Sequence, residues 1–246
     1  MADTGFVEWL ETAQGHYVRR WVETRHDQMV ADIFGFNAVQ LGLPQLDLLR
    51  ANRMPFRFYC SDEAVTATQV RASPLELPFA TASIDLVVLP HVLEFSDNPH
   101  QVLREVERVL VPEGSVIVTG FNPFSLWGAK RRLARQPLDA PWRGRYISVP
   151  RLKDWCKLLN LETHMGCFGC YAPPLSQEKW LHRWRFMEPA GDRWWPFAGG
   201  VYMLQAIKRV QGMRLILPTW KDRKAAAKAL APVIQRQPKA QRTTQQ

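Results

Sequence analysis

The 246-residue chain is expected to fold as a doubly wound α/β sheet, and three stretches predict it. Ile84 to Leu89 is apolar at nearly every position, which suits a strand buried on both faces in the middle of a parallel sheet. Val102, Leu103, Val106, Val109 and Leu110 then share one helical face, with Arg104, Glu105, Glu107 and Arg108 on its flanks or opposite side. Pro112-Glu113-Gly114 turns the chain into a strand from Ser115 to Thr119, which completes a strand-helix-strand unit of right-handed crossover.

The other elements follow in order. Phe6, Trp9, Leu10, Ala13, Tyr17 and Trp21 recur at helical spacing, and Met29, Ile33 and Phe34 suggest a second helical stretch, both packed on a sheet. Gly35 interrupts that pattern, and Asn37 to Leu41 reads as the first strand. Gln45 to Ala51 suits a short helix, Phe56 to Cys60 a second strand and Thr68 to Ala72 a third, each bounded by Pro, Asn or Ser. Asn98-Pro99 supplies an N-cap and a first-turn proline for the helix that ends at Leu110. Residues 121–150 mix loop and basic helix around Lys130, Arg131, Arg132 and Arg135. Pro150 to Leu159 is a further helix with Leu152, Trp155, Cys156 and Leu159 on its apolar side, and Leu161 to Phe168 and Gly200 to Ile207 are two more strands. In such a sheet a ligand is expected beyond the carboxyl ends of the central strands.

Composition narrows the class. A chain of this length with 46% hydrophobic residues can bury a sizeable core. The net charge of +9 is concentrated: residues 221–246 hold seven Lys or Arg and one acid and so supply +6 of it. That stretch is expected to be a solvated, disordered tail, with RNA, DNA or anionic lipid as its possible contacts. No apolar run reaches the roughly 18–20 residues of a membrane span, and Asp3, Glu8 and Glu11 stand where a secretory signal would be basic. With four scattered cysteines, Cys60, Cys156, Cys167 and Cys170, a reducing cytoplasmic setting is expected rather than a disulfide scaffold. The predicted organisation is a helical extension over 1–36, a main domain over 37–220 and the basic tail over 221–246.

Leu77-Pro78-Phe79, Ile84-Asp85-Leu86-Val87-Val88, Arg104-Glu105-Val106-Glu107-Arg108-Val109-Leu110 and Pro112-Glu113-Gly114, in this order and spacing, resemble the core of class I S-adenosylmethionine-dependent methyltransferases of the type 11 group. The resemblance is tight from Leu75 to Gly120 and loose from Asn37 to Ser73. It implies a Rossmann-like, mostly parallel seven-stranded sheet with the last strand antiparallel, and S-adenosylmethionine as cofactor. In that family the first strand ends in a loop rich in glycine, followed by a helix whose N-terminus receives the cofactor carboxylate. Here the loop is Leu41-Gly42-Leu43-Pro44-Gln45-Leu46: Gly42 alone remains, Leu43 and Leu46 add bulk, and Pro44 lacks an amide hydrogen. The resemblance places a ribose-binding acid at Asp62, with Glu63 as its neighbour candidate. It further assigns the cofactor edge to Ser73, Pro74, Leu75, Leu89 and Pro90.

His91, at the end of the fourth strand, is the candidate base for an acceptor that arrives protonated; capping the strand is its bland alternative. Asn122 and Phe124 are candidates for the substrate rim. His164, Cys167 and Cys170, with Cys156, have partial zinc-ligand spacing, but a lone Cys-x-x-Cys in a strand is better read as buried small hydrophobes, so no metal is expected. Trp180, Leu181 and Trp184, followed by Trp194 and Trp195 and interleaved with Arg183, Arg185 and Arg193, suggest core packing or a lid, with base stacking or a membrane surface as the other readings. Two functions stay open at this point: methyl transfer to an unidentified acceptor, and a noncatalytic methyltransferase-like module that binds protein or nucleic acid.

Overall fold

The computed structural model describes residues 4–62, 67–133 and 140–210. Seven strands form one sheet: β1 (Asn37–Leu41), β2 (Phe56–Ser61), β3 (Val70–Arg71), β4 (Ile84–Pro90), β5 (Leu110–Phe121), β6 (Leu161–Gly169) and β7 (Val201–Lys208). Their spatial order is β3-β2-β1-β4-β5-β7-β6. β7 alone runs against its neighbours β5 and β6, while β1, β2, β3, β4 and β5 pair in parallel. This is the mixed seven-stranded sheet that the resemblance implies.

Alternate residues of the central strands feed two apolar layers, as the two-residue period of a strand requires. Leu86 and Val88 of β4, with Ile117 and Phe121 of β5, face α1 (Thr4–Leu10) and α2 (Ala13–Ala31). Val87 and Leu89, with Val116 and Val118, face α4 (Pro99–Val109) and α6 (Val149–Leu158). A short helix α3 (Val92–Phe95) follows β4, α5 (Leu126–Leu133) follows β5, and α7 (Glu178–Arg183) and α8 (Met187–Trp194) lie between β6 and β7. α4 has the predicted start: the Asn98 side chain accepts from Gln101 N at 3.2 Å and Pro99 opens the first turn.

Four local expectations are corrected. The N-terminal helical pattern is broken at Glu11-Thr12, because Thr12 turns to cap α2 by accepting from Gly15 N, and Gly15 lets Trp9 O approach where a Cβ would lie 2.1 Å away. Third-strand pairing is limited to Val70–Arg71. The Pro112-Glu113-Gly114 turn is an outward excursion within β5: Ile84 pairs with Leu110 and Leu86 with Ser115, with Glu113 at φ 65°.

Residues 45–51 form turns, and no helix stands among the described residues between β1 and β4. The cause is Gln40. Its fully buried amide donates to the carbonyls of Leu43 (3.0 Å) and Leu46 (2.7 Å) and accepts from Leu48 N (3.1 Å), so it gathers the backbone groups a helix would have paired internally. Together with the backbone bonds Leu46 N to Leu43 O (3.0 Å) and Leu48 N to Leu46 O (3.1 Å), these contacts hold the loop in turns. Arg135 of the expected basic stretch and the whole of 221–246 lie outside the described residues.

Candidate active site

The carboxyl ends of β1, β2 and β4 meet at one small hollow. Gly42 and Leu43 follow β1, Ser61 and Asp62 end and follow β2, and Pro90 and His91 end and follow β4. Pro74, Phe6 and Phe95 complete it. Of the residues predicted to hold a cofactor, Gly42, Asp62, Pro74 and Pro90 therefore share this hollow with His91. Leu89 does not: it is fully buried on the opposite face with α4. Ser73 is held in a local turn with Leu75 N donating to its Oγ at 3.2 Å, and Leu75 is exposed. Glu63 lies outside the described residues.

Gly42 has φ +75°, and a Cβ there would come within 3.1 Å of Val92 Cγ2. Leu43 is also left-handed, at φ 45°, a conformation that costs a residue with a Cβ about 1–2 kcal/mol. The chain thus keeps a glycine-like bend at two successive residues but puts a leucine on the second. Leu43 is 2% exposed and joins the core; Pro44 is buried away from the hollow.

His91 adopts φ 55° and is 3% exposed. Its Nδ1 lies 2.8 Å from Oε2 of Glu94, a carboxylate equally buried on α3, and the other Glu94 oxygen accepts a short bond from Phe121 N. In the neutral ring a carboxylate accepting at Nδ1 places the proton there and leaves the lone pair on Nε2. Among the described residues that Nε2 has no hydrogen-bond partner. Phe6 (5.2 Å) and Phe121 (4.6 Å) flank the ring.

Two further orphaned atoms surround this pair. Tyr146, stacked on Phe121 at 5.2 Å, has a buried hydroxyl without a partner among the described residues. Burial, and after it the charge of Glu94, push that phenol far up, so it stays protonated. His26 of α2 places Nε2 3.0 Å from Thr119 Oγ1 and leaves Nδ1 unpartnered. Burial lowers its pKa from 6.5 to about 3, so the ring is neutral in the fold.

A group whose folded pKa is depressed takes up protons on unfolding between the two values, so its contribution is lost as pH falls from 6.5 towards 3. The unfolding free energy of the native chain is expected to fall more steeply over that window than that of His26→Gln, which keeps a bond to Thr119 but does not titrate. Denaturant melts at pH 7 and pH 4.5 measure the difference, and parallel losses would remove His26 from the acid response.

A larger cavity, of about 500 Å³, lies between α2 and the α7–α8 segment, around Tyr17, Trp21, Tyr171 and Glu188. Its inward polar groups satisfy one another: Tyr17 donates a short bond to Glu188, which also accepts from Tyr171 N at 3.0 Å. Among the described residues, three of the four buried side-chain atoms without a partner, those of His26, His91 and Tyr146, lie instead around His91, which is why the site is placed there; the fourth is Thr68 Oγ1.

Glu94 escaped sequence reasoning. Its signal was the spacing from His91, three residues on, which one helical turn brings back onto the histidine. Asn122 turns out to be a clamp: its amide donates to Phe197 O (2.7 Å) and Gly199 O (3.0 Å), while Phe124 is 64% exposed beside it. The cysteines are separate small apolar fillers, Cys170 in the α1–α2 layer and Cys156 in the α4–α6 layer. Burial pushes the Cys156 thiol up to about 11. Packing of the tryptophan segment is corrected. Trp180, Trp194 and Trp195 are 45%, 70% and 63% exposed, because helices this short bury only Leu181 and, against the Tyr171 ring, Gly191.

The hollow itself holds about 20 Å³, against roughly 300–1,000 Å³ for a typical ligand pocket, because Phe6, Leu43 and Phe95 fill it. Its Asp62 carboxylate, an acceptor for ribose hydroxyls, and its bend suit a nucleoside cofactor; its volume does not while Phe6 is seated.

Residues 47–118 match a family model described as a methyltransferase domain. The match begins after the bend at Gly42-Leu43. Over 155 residues the chain is 30% identical to the uncharacterised protein YafS of Escherichia coli K12, covering 63% of this chain and 64% of that one. It is 30% identical over 95 residues to an uncharacterised chloroplastic methyltransferase of Arabidopsis thaliana, covering 37% of this chain and 27% of the other. The chain thus spans less than two thirds of the length of these curated relatives. A solved S-adenosylmethionine-dependent methyltransferase of Thermotoga maritima aligns with 78% of this chain and 92% of its own at a TM-score of 0.59 and 15% identity, a likeness of fold.

Proposed function

We infer that this chain, which carries a type 11 methyltransferase domain on a class I methyltransferase sheet, transfers a methyl group from S-adenosylmethionine to an acceptor with an ionisable proton. The observation that carries the reading is the orphaned Nε2 of His91, backed by Glu94 at the carboxyl end of β4. When bound, the cofactor supplies an electrophilic methyl group on a sulfonium. Gly42 would let the backbone pass close to it, Asp62 would accept from its ribose hydroxyls, and Pro74 and Pro90 would border its base. Nε2 takes the acceptor's proton, and Glu94 holds the imidazole in the tautomer that permits it. Positioning and exclusion of water do the remainder, so few dedicated groups are needed. Asn122 fixes the rim, and Phe124 meets the acceptor. Among the described residues no helix is long and apolar enough to cross a membrane. A cytoplasmic setting is part of the reading, supported by four unpaired cysteines.

One observation favours a second reading, a noncatalytic module for protein or nucleic acid: the hollow of about 20 Å³. Thermal melting separates the two. S-adenosylmethionine or its demethylated product at about a hundred times its dissociation constant adds roughly 2.7 kcal/mol, which visibly raises the melting temperature. A shift with either compound is the expected result; none at millimolar concentration selects the noncatalytic module.

A further inference from the structure

Two segments far apart in sequence, joined through Asn122, each expose large apolar side chains. Phe124 and Leu126, just after β5, are 64% and 49% exposed, and Trp194, Trp195 and Phe197, just before β7, are 70%, 63% and 76% exposed. The Asn122 side chain joins the segments, since its Nδ2 donates to Phe197 O while its Oδ1 accepts from Phe124 N at 3.0 Å. Exposed side chains of this size gain nothing from water, and grouped together they mark a surface that another phase or molecule covers.

The charges beside them are basic. Arg132 stands over the Phe124 ring at 5.8 Å, Arg183 lies near Trp180 at 6.0 Å, and Arg193 precedes the tryptophan pair. Over residues 178–198 there are four Lys or Arg and three acids, and one of those acids, Glu188, is turned inward onto Tyr17 and Tyr171 N. Tryptophan with arginine is the composition of the headgroup layer, where an amphipathic ring sits between hydrocarbon and water and a guanidinium meets lipid phosphate. Single-stranded nucleic acid would also stack on these aromatic rings, but the aliphatic Leu126 beside them stacks on no base and gains from hydrocarbon.

We propose that this face docks the protein on an anionic lipid bilayer, with the aromatic side chains at headgroup depth and the arginines on lipid phosphates. The proposal does not rest on the methyl-transfer reading; it shares Phe124 with the proposed substrate rim, and Trp194, Trp195 and Phe197 belong to this face alone.

Co-sedimentation of the full chain with vesicles of phosphatidylcholine and phosphatidylglycerol tests it, against vesicles of phosphatidylcholine alone and a single-stranded RNA oligonucleotide. The native chain is expected to pellet with the anionic vesicles, less with the neutral ones, and less again at raised salt. A triple variant, Trp194→Ala, Trp195→Ala and Phe197→Ala, is expected to lose at least about tenfold in partitioning while keeping the native melting temperature, since all three side chains are exposed. Because it retains residues 211–246, the variant separates this face from the basic tail. Equal partitioning of variant and native chain overturns the proposal. So does failure of the native chain to pellet with anionic vesicles, or binding to the RNA with no vesicle binding.

Discussion

Phe6→Ala is expected to destabilise the chain and, in the same protein, to tighten its hold on S-adenosylmethionine. Phe6 is 1% exposed and touches the rings of Trp9, Phe95, His91 and Phe121, so its loss leaves a cavity at a cost of about 3–5 kcal/mol. That cavity is the hollow at the ends of β1, β2 and β4, now holding about 20 Å³. A ligand whose site is open only part of the time binds with an affinity reduced by that fraction, so removing the plug restores it. The measurement is calorimetric titration with the demethylated cofactor beside a melting curve: a lower melting temperature with at least about tenfold tighter binding. A lower melting temperature with unchanged affinity would mean that Phe6 is core and not a stopper. Binding by neither protein would remove the cofactor reading itself.

The second large effect is expected at His91. His91→Asn suits the left-handed backbone at φ 55°, which asparagine tolerates, so the fold is kept while the basic nitrogen is lost. General-base catalysis contributes about 10²–10⁴-fold, and a fall of that size is expected in transfer of labelled methyl from S-adenosylmethionine into cell extract. The thermal shift given by the cofactor should persist, since the imidazole acts on the acceptor. A loss of less than about threefold would leave His91 as a strand cap. Glu94 acts through His91 and is a positioning residue; its carboxylate also holds Phe121 N, so its replacement mixes folding with chemistry.

The central part of this architecture was legible from its residues because the forces there are local and periodic. β4 declared itself by unbroken apolarity and α4 by its stripe and its Asn98-Pro99 cap. The order of Leu77-Pro78-Phe79, the fourth strand, the helix and the turn carried the family resemblance. What escaped has a common cause. The helix expected at Gln45 to Ala51 is absent because one buried side chain, Gln40, claims its backbone groups from the neighbouring strand. The tryptophan segment has helical spacing, yet spacing states only which residues share a face and not whether a core lies beneath it.

The amino-acid sequence alone determined the strand and helix order, the poverty of glycine after β1, the location of the positive charge and the candidacy of His91. The elements and the charge follow from composition or from periods of two and 3.6 residues, which need no knowledge of distant contacts, while the missing glycines and His91 took their meaning from the family resemblance. Tertiary structure decided that Glu94 backs His91, that His26 and Tyr146 leave buried atoms unsatisfied beside it, and that Phe6 from the N-terminal helix fills the hollow. Those relations join α1, α2, the ends of β4 and β5, and the 140–147 segment. Their energies depend on burial and hydrogen-bond geometry between residues up to about a hundred and forty positions apart, and the order of residues along a chain does not encode that proximity.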